Sequence, residues 1–329
     1  MKYKKNIFII IIVISFFVIC EVSVRFLLFS QGKGFFRERR FVSPWFTVYD
    51  PPLPLEKDGI GYFRRGKPAA RTPAPGVIRI ICLGGSTTAN VSTKIDYPQL
   101  LENKLNSNTK GIKFEVLNAA ADAFSSAHSL VNFELRLIYY HPAYIIVYHN
   151  INDLSANYFG KKITSDYANK YMNNLFLAPE CKIGFYRVLF KSKLISYILA
   201  SISYSLFDKQ MQSKAEDVDI VYGKDIFRNN LMNIVAVARQ NGIIPILASQ
   251  AACFGKNNFS YINKNDFIEY NAVIKDVASK TGCIYVDSFS ALNENPEYFI
   301  DLVHYSESGV EKLADVFYDN LCAIFKIGK

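Results

Sequence analysis

The chain has 329 residues, half of them apolar, with 20% charged and 15% aromatic. That is enough for one large or two small domains with a sizeable core, and it lies far from the composition of collagen-like or unstructured chains. The net charge of +9 is scattered, with several basic residues flanking an N-terminal apolar run, which favours a membrane surface as partner and speaks against nucleic acid.

That run extends from Ile7 to Cys20 and resumes from Val22 to Phe29, interrupted only by Glu21 and Arg25. It meets the roughly 20 helical residues a bilayer core requires, and Glu21 and Arg25, four apart, can pair on one helix face near an interface. A cleaved signal peptide is the rival reading, but no small-x-small site follows the run, and Ile19 stands where a lipoprotein signal before Cys20 needs a small residue. Residues 1–30 are therefore read as an uncleaved signal anchor. Lys2, Lys4 and Lys5 on one side and Arg25, Lys33, Arg37, Arg39 and Arg40 on the other leave the orientation open by charge. Residues 31–76, Pro-rich from Ser43 to Gly76, read as an extended juxtamembrane connector.

From Val77 onward, short apolar runs alternate with segments of helical periodicity. Strands are expected at Val77–Leu83, Lys113–Asn118, Ala143–His149, Gly242–Ser249 and Gly282–Asp287. Helices are expected near Tyr97–Asn106, Ser126–Tyr140, Asp225–Gln240, Asn265–Lys280 and Ser306–Phe325. Strands apolar on both faces and separated by helices imply a doubly wound α/β domain over residues 77–329, with a mainly parallel sheet of about five strands. Residues 160–223 break this rhythm as an insertion. Its apolar middle, Phe185–Phe207, fits a lid over the cleft, a membrane-lying helix or added core. The six cysteines are far apart and form no metal-ligand spacing, so buried free thiols are expected, with Cys82 and Cys283 inside strand-like runs.

The sharpest local feature is Ile80-Ile81-Cys82-Leu83-Gly84-Gly85-Ser86-Thr87-Thr88, an apolar strand ending in two glycines and a serine. Such a turn can present the Ser86 hydroxyl at the carboxyl end of the sheet, with its N–H facing a developing oxyanion. An ordinary strand-to-helix turn capped by Ser86 has the same pattern. A serine nucleophile needs a base, and there are only four histidines, His128, His141, His149 and His304. His304 stands out in Asp301-Leu302-Val303-His304, where a short turn can set the carboxylate against one imidazole nitrogen and leave the other for the serine. His141 precedes Pro142 in a connector, His128 reads as helix packing, and His149 ends the third strand near the cleft. In Tyr148-His149-Asn150-Ile151-Asn152-Asp153-Leu154, the Asn152 amide could donate to an oxyanion and Asp153 could brace the loop; a capped Asx-rich turn is the plain alternative.

Taken in order, these pieces make the chain resemble the SGNH, or GDSL-type, hydrolases from about Val77 to Phe325, and Gly84-Gly85-Ser86-Thr87 looks like the form found in their membrane-anchored branch. The resemblance implies a flavodoxin-like three-layer α/β/α fold and ester hydrolysis or acyl transfer with no metal or other cofactor. It assigns Ser86 as nucleophile, Asp301 and His304 as acid and base, and Ser86, Ala123 and Asn152 as oxyanion donors, with Gly84, Gly85 and Asp153 in support. Two positions depart from the pattern: Ala123 stands where the family usually has glycine, and so does Asn150. A backbone N–H survives the change at Ala123, but a left-handed backbone there would be strained by the β-carbon.

The function expected is a serine esterase acting on a short acyl ester, such as an O-acetyl group, on an envelope glycan or lipid. The protein would be single-pass, and the resemblance favours an extracytoplasmic catalytic domain. An O-acyltransferase using the same site and a non-catalytic glycan-binding envelope protein remain open at this level.

Overall fold

The computed structural model describes residues 2–30, 38–42, 46–50, 63–64, 67–89, 92–109, 111–159, 162–171, 192, 194–195, 219–257, 259, 261–292 and 294–325. Residues 1–53 with 171–213 form one compact unit, and residues 54–170 with 214–329 form the other.

In the first unit, helix α1 (Lys2–Ser30) contains a stretch, Asn6–Leu27, long and apolar enough to cross a membrane, with mean hydropathy 3.0. Glu21 and Arg25 pair across one helical turn at 2.7 Å, as their spacing predicts. The second Glu21 oxygen accepts from the Ser192 hydroxyl at 2.7 Å and the Leu194 N–H at 2.8 Å. Apart from Ser192, Leu194 and Ile195, the apolar middle of the insertion, Phe185–Phe207, whether lid, membrane-lying helix or added core, lies outside the described residues. The stretch read as a connector holds strands β1 (Glu38–Val42) and β2 (Phe46–Asp50), paired antiparallel, and, in the second unit, β3 (Phe63–Arg64) and β4 (Lys67–Pro68). Pro68 is tolerated in a strand because β4 is the sheet's edge, where no neighbour needs its missing N–H.

The second unit is built on strands β5 (Val77–Gly84), β6 (Lys113–Asn118), β7 (Tyr144–Tyr148), β8 (Ile244–Ala248) and β9 (Ile284–Val286), each within a few residues of its expected place. The sheet order is β4-β3-β6-β5-β7-β8-β9; the last five pair in parallel, and β3 pairs antiparallel with both β4 and β6. Within the parallel part the order is the 2-1-3-4-5 of flavodoxin-like sheets, so the order of winding across the sheet reverses between β5 and β7, where such folds open a crevice beyond the strand ends. Helices α2 (Ser86–Ala89), α3 (Tyr97–Asn108), α4 (Ser126–Leu135), α5 (Ile151–Ala156), α6 (Ala168–Tyr171), α7 (Ile220–Gln240), α8 (Lys264–Thr281), α9 (Ser288–Leu292) and α10 (Glu307–Phe325) fill the intervals.

Alternation along the strands sends side chains into two layers. Ile80, Cys82, Ile146, Tyr148, Ile246 and Val286 pack with Leu101 and Leu105 of α3 and with Val310, Leu313 and Phe317 of α10. Ile81, Leu83, Ile145, Val147 and Leu247 are equally buried and by parity face the opposite layer. The strands are thus apolar on both faces, as a parallel sheet covered by helices requires. Arg79 is the exception: fully buried, it is satisfied by the Glu115 carboxylate at 2.6 Å and by the carbonyls of Arg71 and Tyr140, which is what keeps a buried guanidinium tolerable.

Candidate active site

Ser86 opens α2, one residue (Gly85) beyond the end of β5, at the crevice side of the switch between β5 and β7. The two glycines before it work differently from the tight turn expected: neither has a left-handed backbone. Their use is close approach. A β-carbon on Gly85 would lie 2.5 Å from Asn152 Nδ2 and 3.0 Å from the Phe124 carbonyl, so its absence lets the loop after β7 close against Ser86.

Its partner arrives from 218 residues away: His304 Nε2 lies 2.8 Å from Ser86 Oγ. On the other side of the ring, Nδ1 lies 2.8 Å from Asp301 Oδ2, while Asp301 Oδ1 accepts the N–H groups of Val303 at 3.0 Å and His304 at 2.8 Å. An acceptor-only carboxylate at Nδ1 places the ring proton there and leaves the Nε2 lone pair for the serine. Burial pushes the Asp301 carboxyl upward, but the hydrogen bonds from the His304 ring, the backbone N–H groups and the imidazole charge outweigh it and hold it below its ordinary value. The turn is clamped at its base. Phe299 and Tyr305 form an antiparallel bridge, Ile300 N–H donates to the His304 carbonyl, and Cys253 N–H donates to the Leu302 carbonyl.

The loop after β6 carries Ala123 with φ 61°. A β-carbon in this left-handed conformation costs about 1–2 kcal/mol, so Ala123→Gly is expected to stabilise the fold by about 1 kcal/mol and raise Tm by roughly 2–4 °C in a thermal melt. An unchanged Tm would show that the local packing absorbs the strain. Asn150, the other departure from the family pattern, is at ease: its φ of −170° is extended backbone open to any residue. Its amide donates to the Phe267 carbonyl at 3.0 Å and to Asn271 Oδ1 at 2.9 Å, tying the loop to α8.

Asn152, on the first turn of α5, donates from Nδ2 to the Phe124 carbonyl at 3.0 Å. Asp153 beside it is fully buried and accepts the N–H and hydroxyl of Ser126, which anchors the start of α4 to α5. Burial raises its carboxyl to about 6 against the pull of those hydrogen bonds. His149 is not at the cleft, as its strand-end position suggests, but buried, with Nε2 2.7 Å from Ser129 Oγ and Nδ1 4.0 Å from Asp153. The Ser129–His149–Asp153 series resembles a relay, yet its enclosure leaves no approach for a substrate. His128 is likewise buried, 2.9 Å from Ser125 Oγ at the start of α4 and stacked on Phe124. His141 is exposed.

Two supports escaped the sequence reading. Gln250, just past β8, accepts Ile151 N–H at 2.8 Å, donates to Thr87 Oγ1 at 3.3 Å, and exchanges two backbone hydrogen bonds with the Asn271 amide. It couples the loops after β5, β7 and β8, and its polar side chain at the carboxyl end of a buried strand was the available signal. Lys170 on α6 is buried; its Nζ donates to Asn152 O at 2.8 Å, Asn152 Oδ1 at 3.3 Å and Ser155 Oγ at 2.7 Å. Burial lowers its ammonium to about 7, with Asp153 pulling it back up.

Solved structures similar to this chain include the acetyl xylan esterase AlAXEase (15% identity, 74% of this chain and 98% of that one, TM-score 0.48). A lipase/acylhydrolase from Enterococcus faecalis is similar at 14% identity, over 75% of this chain and 96% of that one, with TM-score 0.49. The acetylxylan esterase Axe2 from Geobacillus stearothermophilus is similar at 15%, over 74% and 94%, with TM-score 0.48. No individual curated protein matches the chain significantly. The model of the GDSL-like Lipase/Acylhydrolase family matches residues 82–312, which hold Ser86, the loops after β6 and β7, and the closing Asp301–His304 turn, and the chain belongs to that family.

Proposed function

We propose that the protein is a serine esterase in which Ser86, His304 and Asp301 form the catalytic relay. The observation that carries this reading is the pair of 2.8 Å contacts, Ser86 Oγ to His304 Nε2 and His304 Nδ1 to Asp301, at the carboxyl end of the sheet's switch point. His304 takes the hydroxyl proton as Ser86 Oγ attacks an ester carbonyl. The tetrahedral oxyanion is held by the N–H groups of Ser86 and Ala123 and by the second N–H of the Asn152 amide. Collapse releases the alcohol with a proton from His304, and a water activated by the same imidazole hydrolyses the acyl-enzyme. The proposed substrate is an O-acetyl or other short acyl ester on an envelope glycan or lipid. Membership of an acylhydrolase family supports the chemistry, and an apolar α1 long enough to anchor the chain in a membrane supports the proposed membrane location; the extracytoplasmic side for the catalytic unit is part of the proposal.

The test is intact mass of the full-length protein in detergent after treatment with a fluorophosphonate, beside Ser86→Ala. One adduct, absent from the variant, is expected. A folded wild type that takes up no reagent would remove Ser86 as an activated nucleophile.

A further inference from the structure

We infer that Lys170 is a positioning residue for the oxyanion site: it holds the Asn152 side-chain amide in the one orientation that presents Nδ2 toward Ser86. The inference rests on the proposed role of Asn152 and adds a residue that does not itself touch substrate.

An asparagine amide has two ends of opposite character, and nothing in its shape prevents a half-turn that exchanges them. Here the two ends meet neighbours that cannot exchange roles. Phe124 O, 3.0 Å from Nδ2, can only accept. Lys170 Nζ, 3.3 Å from Oδ1, donates there, and the three acceptors around it suit its three-donor ammonium form. Turning the amide over would set an N–H against the donating Nζ and a carbonyl oxygen against a carbonyl oxygen, so both contacts penalise the same error.

Lys170 is itself held so that it can do this. Its three donors meet three acceptors, and two of these, Asn152 O and Asn152 Oδ1, belong to the residue being positioned. The third, Ser155 Oγ, also donates to Asn152 O at 3.1 Å, closing a ring around the first turn of α5. Helix α6 is pinned in turn by Asn169, whose amide donates to the Ala156 carbonyl at the end of α5 at 2.7 Å and to the Phe159 carbonyl just beyond it at 2.8 Å, and whose Oδ1 accepts from Thr164. Tyr167, one turn before Lys170, keeps a left-handed backbone at φ 57° although it is bulky and fully buried. Such strain persists where the surroundings over-determine a conformation. Burying an ammonium is costly, and no residue of the relay needs it; its hydrogen bonds converge on α5 at Asn152 and Ser155.

The experiment is a double-mutant cycle on the full-length protein in detergent with p-nitrophenyl acetate, using Asn152→Ala, Lys170→Met and both together. Asn152→Ala is expected to lower kcat about a hundredfold. Lys170→Met should lower kcat about tenfold or more with KM changed less than about twofold, since a displaced donor weakens the transition state rather than substrate binding. In the Asn152→Ala background the lysine change should cost less than about twofold more, because its effect passes through the missing amide. A kcat for Lys170→Met equal to wild type, or the same loss in both backgrounds, overturns the inference while leaving Asn152 in place. A wild-type kcat for Asn152→Ala overturns the Asn152 assignment and this inference with it. Should Lys170→Met not fold, Lys170→Gln, which keeps a donor without the charge, is read in the same cycle.

Discussion

Replacing Asp301 with Asn is expected to lower kcat about 10⁴-fold with little change in Tm. The reason lies in how the carboxylate divides its work. Oδ1 receives the Val303 and His304 N–H groups, and Oδ2 faces His304 Nδ1 at 2.8 Å. An asparagine keeps an oxygen on the two backbone donors, so the turn survives. Its NH₂ then faces Nδ1 and donates to it, which drives the ring proton to Nε2. The imidazole would offer Ser86 an N–H in place of a lone pair, and the imidazolium formed during attack would lose its counter-charge. Steady-state kinetics on p-nitrophenyl acetate beside a thermal melt read both quantities. A loss below about tenfold in a fully folded variant would mean that Asp301 does not set the tautomer.

Acidification is expected to unfold the catalytic unit well before its exposed carboxylates alone would. His128 and His149 are held neutral inside the fold, each lowered to about 3, His149 by burial and His128 by burial first and then by the charges of Lys170 and His149. Once unfolded, each returns to about 6.5. The unfolded chain therefore binds the extra protons between these values, and stability falls as pH drops through that window by about 1.4 kcal/mol per pH unit for each imidazole. Asp153 acts in the opposite sense: its carboxyl, raised to about 6, takes a proton in the fold before it would in the unfolded chain. Two groups against one leave about one proton from pH 6 down to 4, or roughly 3 kcal/mol, a large part of a typical total of about 5–15 kcal/mol. Asp301, held below its ordinary value, adds to the loss at the acid end. Urea melts of the full-length protein in detergent at pH 7, 5 and 4, followed by near-ultraviolet circular dichroism, measure it. His149→Asn, which keeps a donor for Ser129, should flatten the slope. Constant stability from pH 7 to 4 would show that the imidazoles accept protons within the fold.

What the sequence by itself determined were the features with a local physical signature. The five parallel strands are contiguous apolar runs punctuated by turn residues, and the long helices α3, α7 and α8 carry their own periodicity and start on a capping Asp or Asn, so their places required no knowledge of partners; the short α2, α5, α6 and α9 carry too few residues to show a period. The Asp301–His304 pair was legible because three residues of chain bring the two groups together in one turn. Ser86 was legible as a polar residue at the exit of a buried strand. Tertiary structure alone decided what crosses the chain. The Ser86–His304 contact depends on every intervening element having its length, and the reason for Gly85 appears only when Asn152 and Phe124 are seen against it. His149 changed from a cleft residue to a buried one because the α4 side chains that enclose it lie about 20 residues away and carry no periodic mark. The strands β3 and β4 are too short to show an alternation and exist because β6 offers them an edge. Lys170 was the least visible of all: a lysine in an irregular stretch reads as solvent-exposed. Only the packing of α6 on α5 shows that it is buried and that its Nζ donates to the turn that carries Asn152.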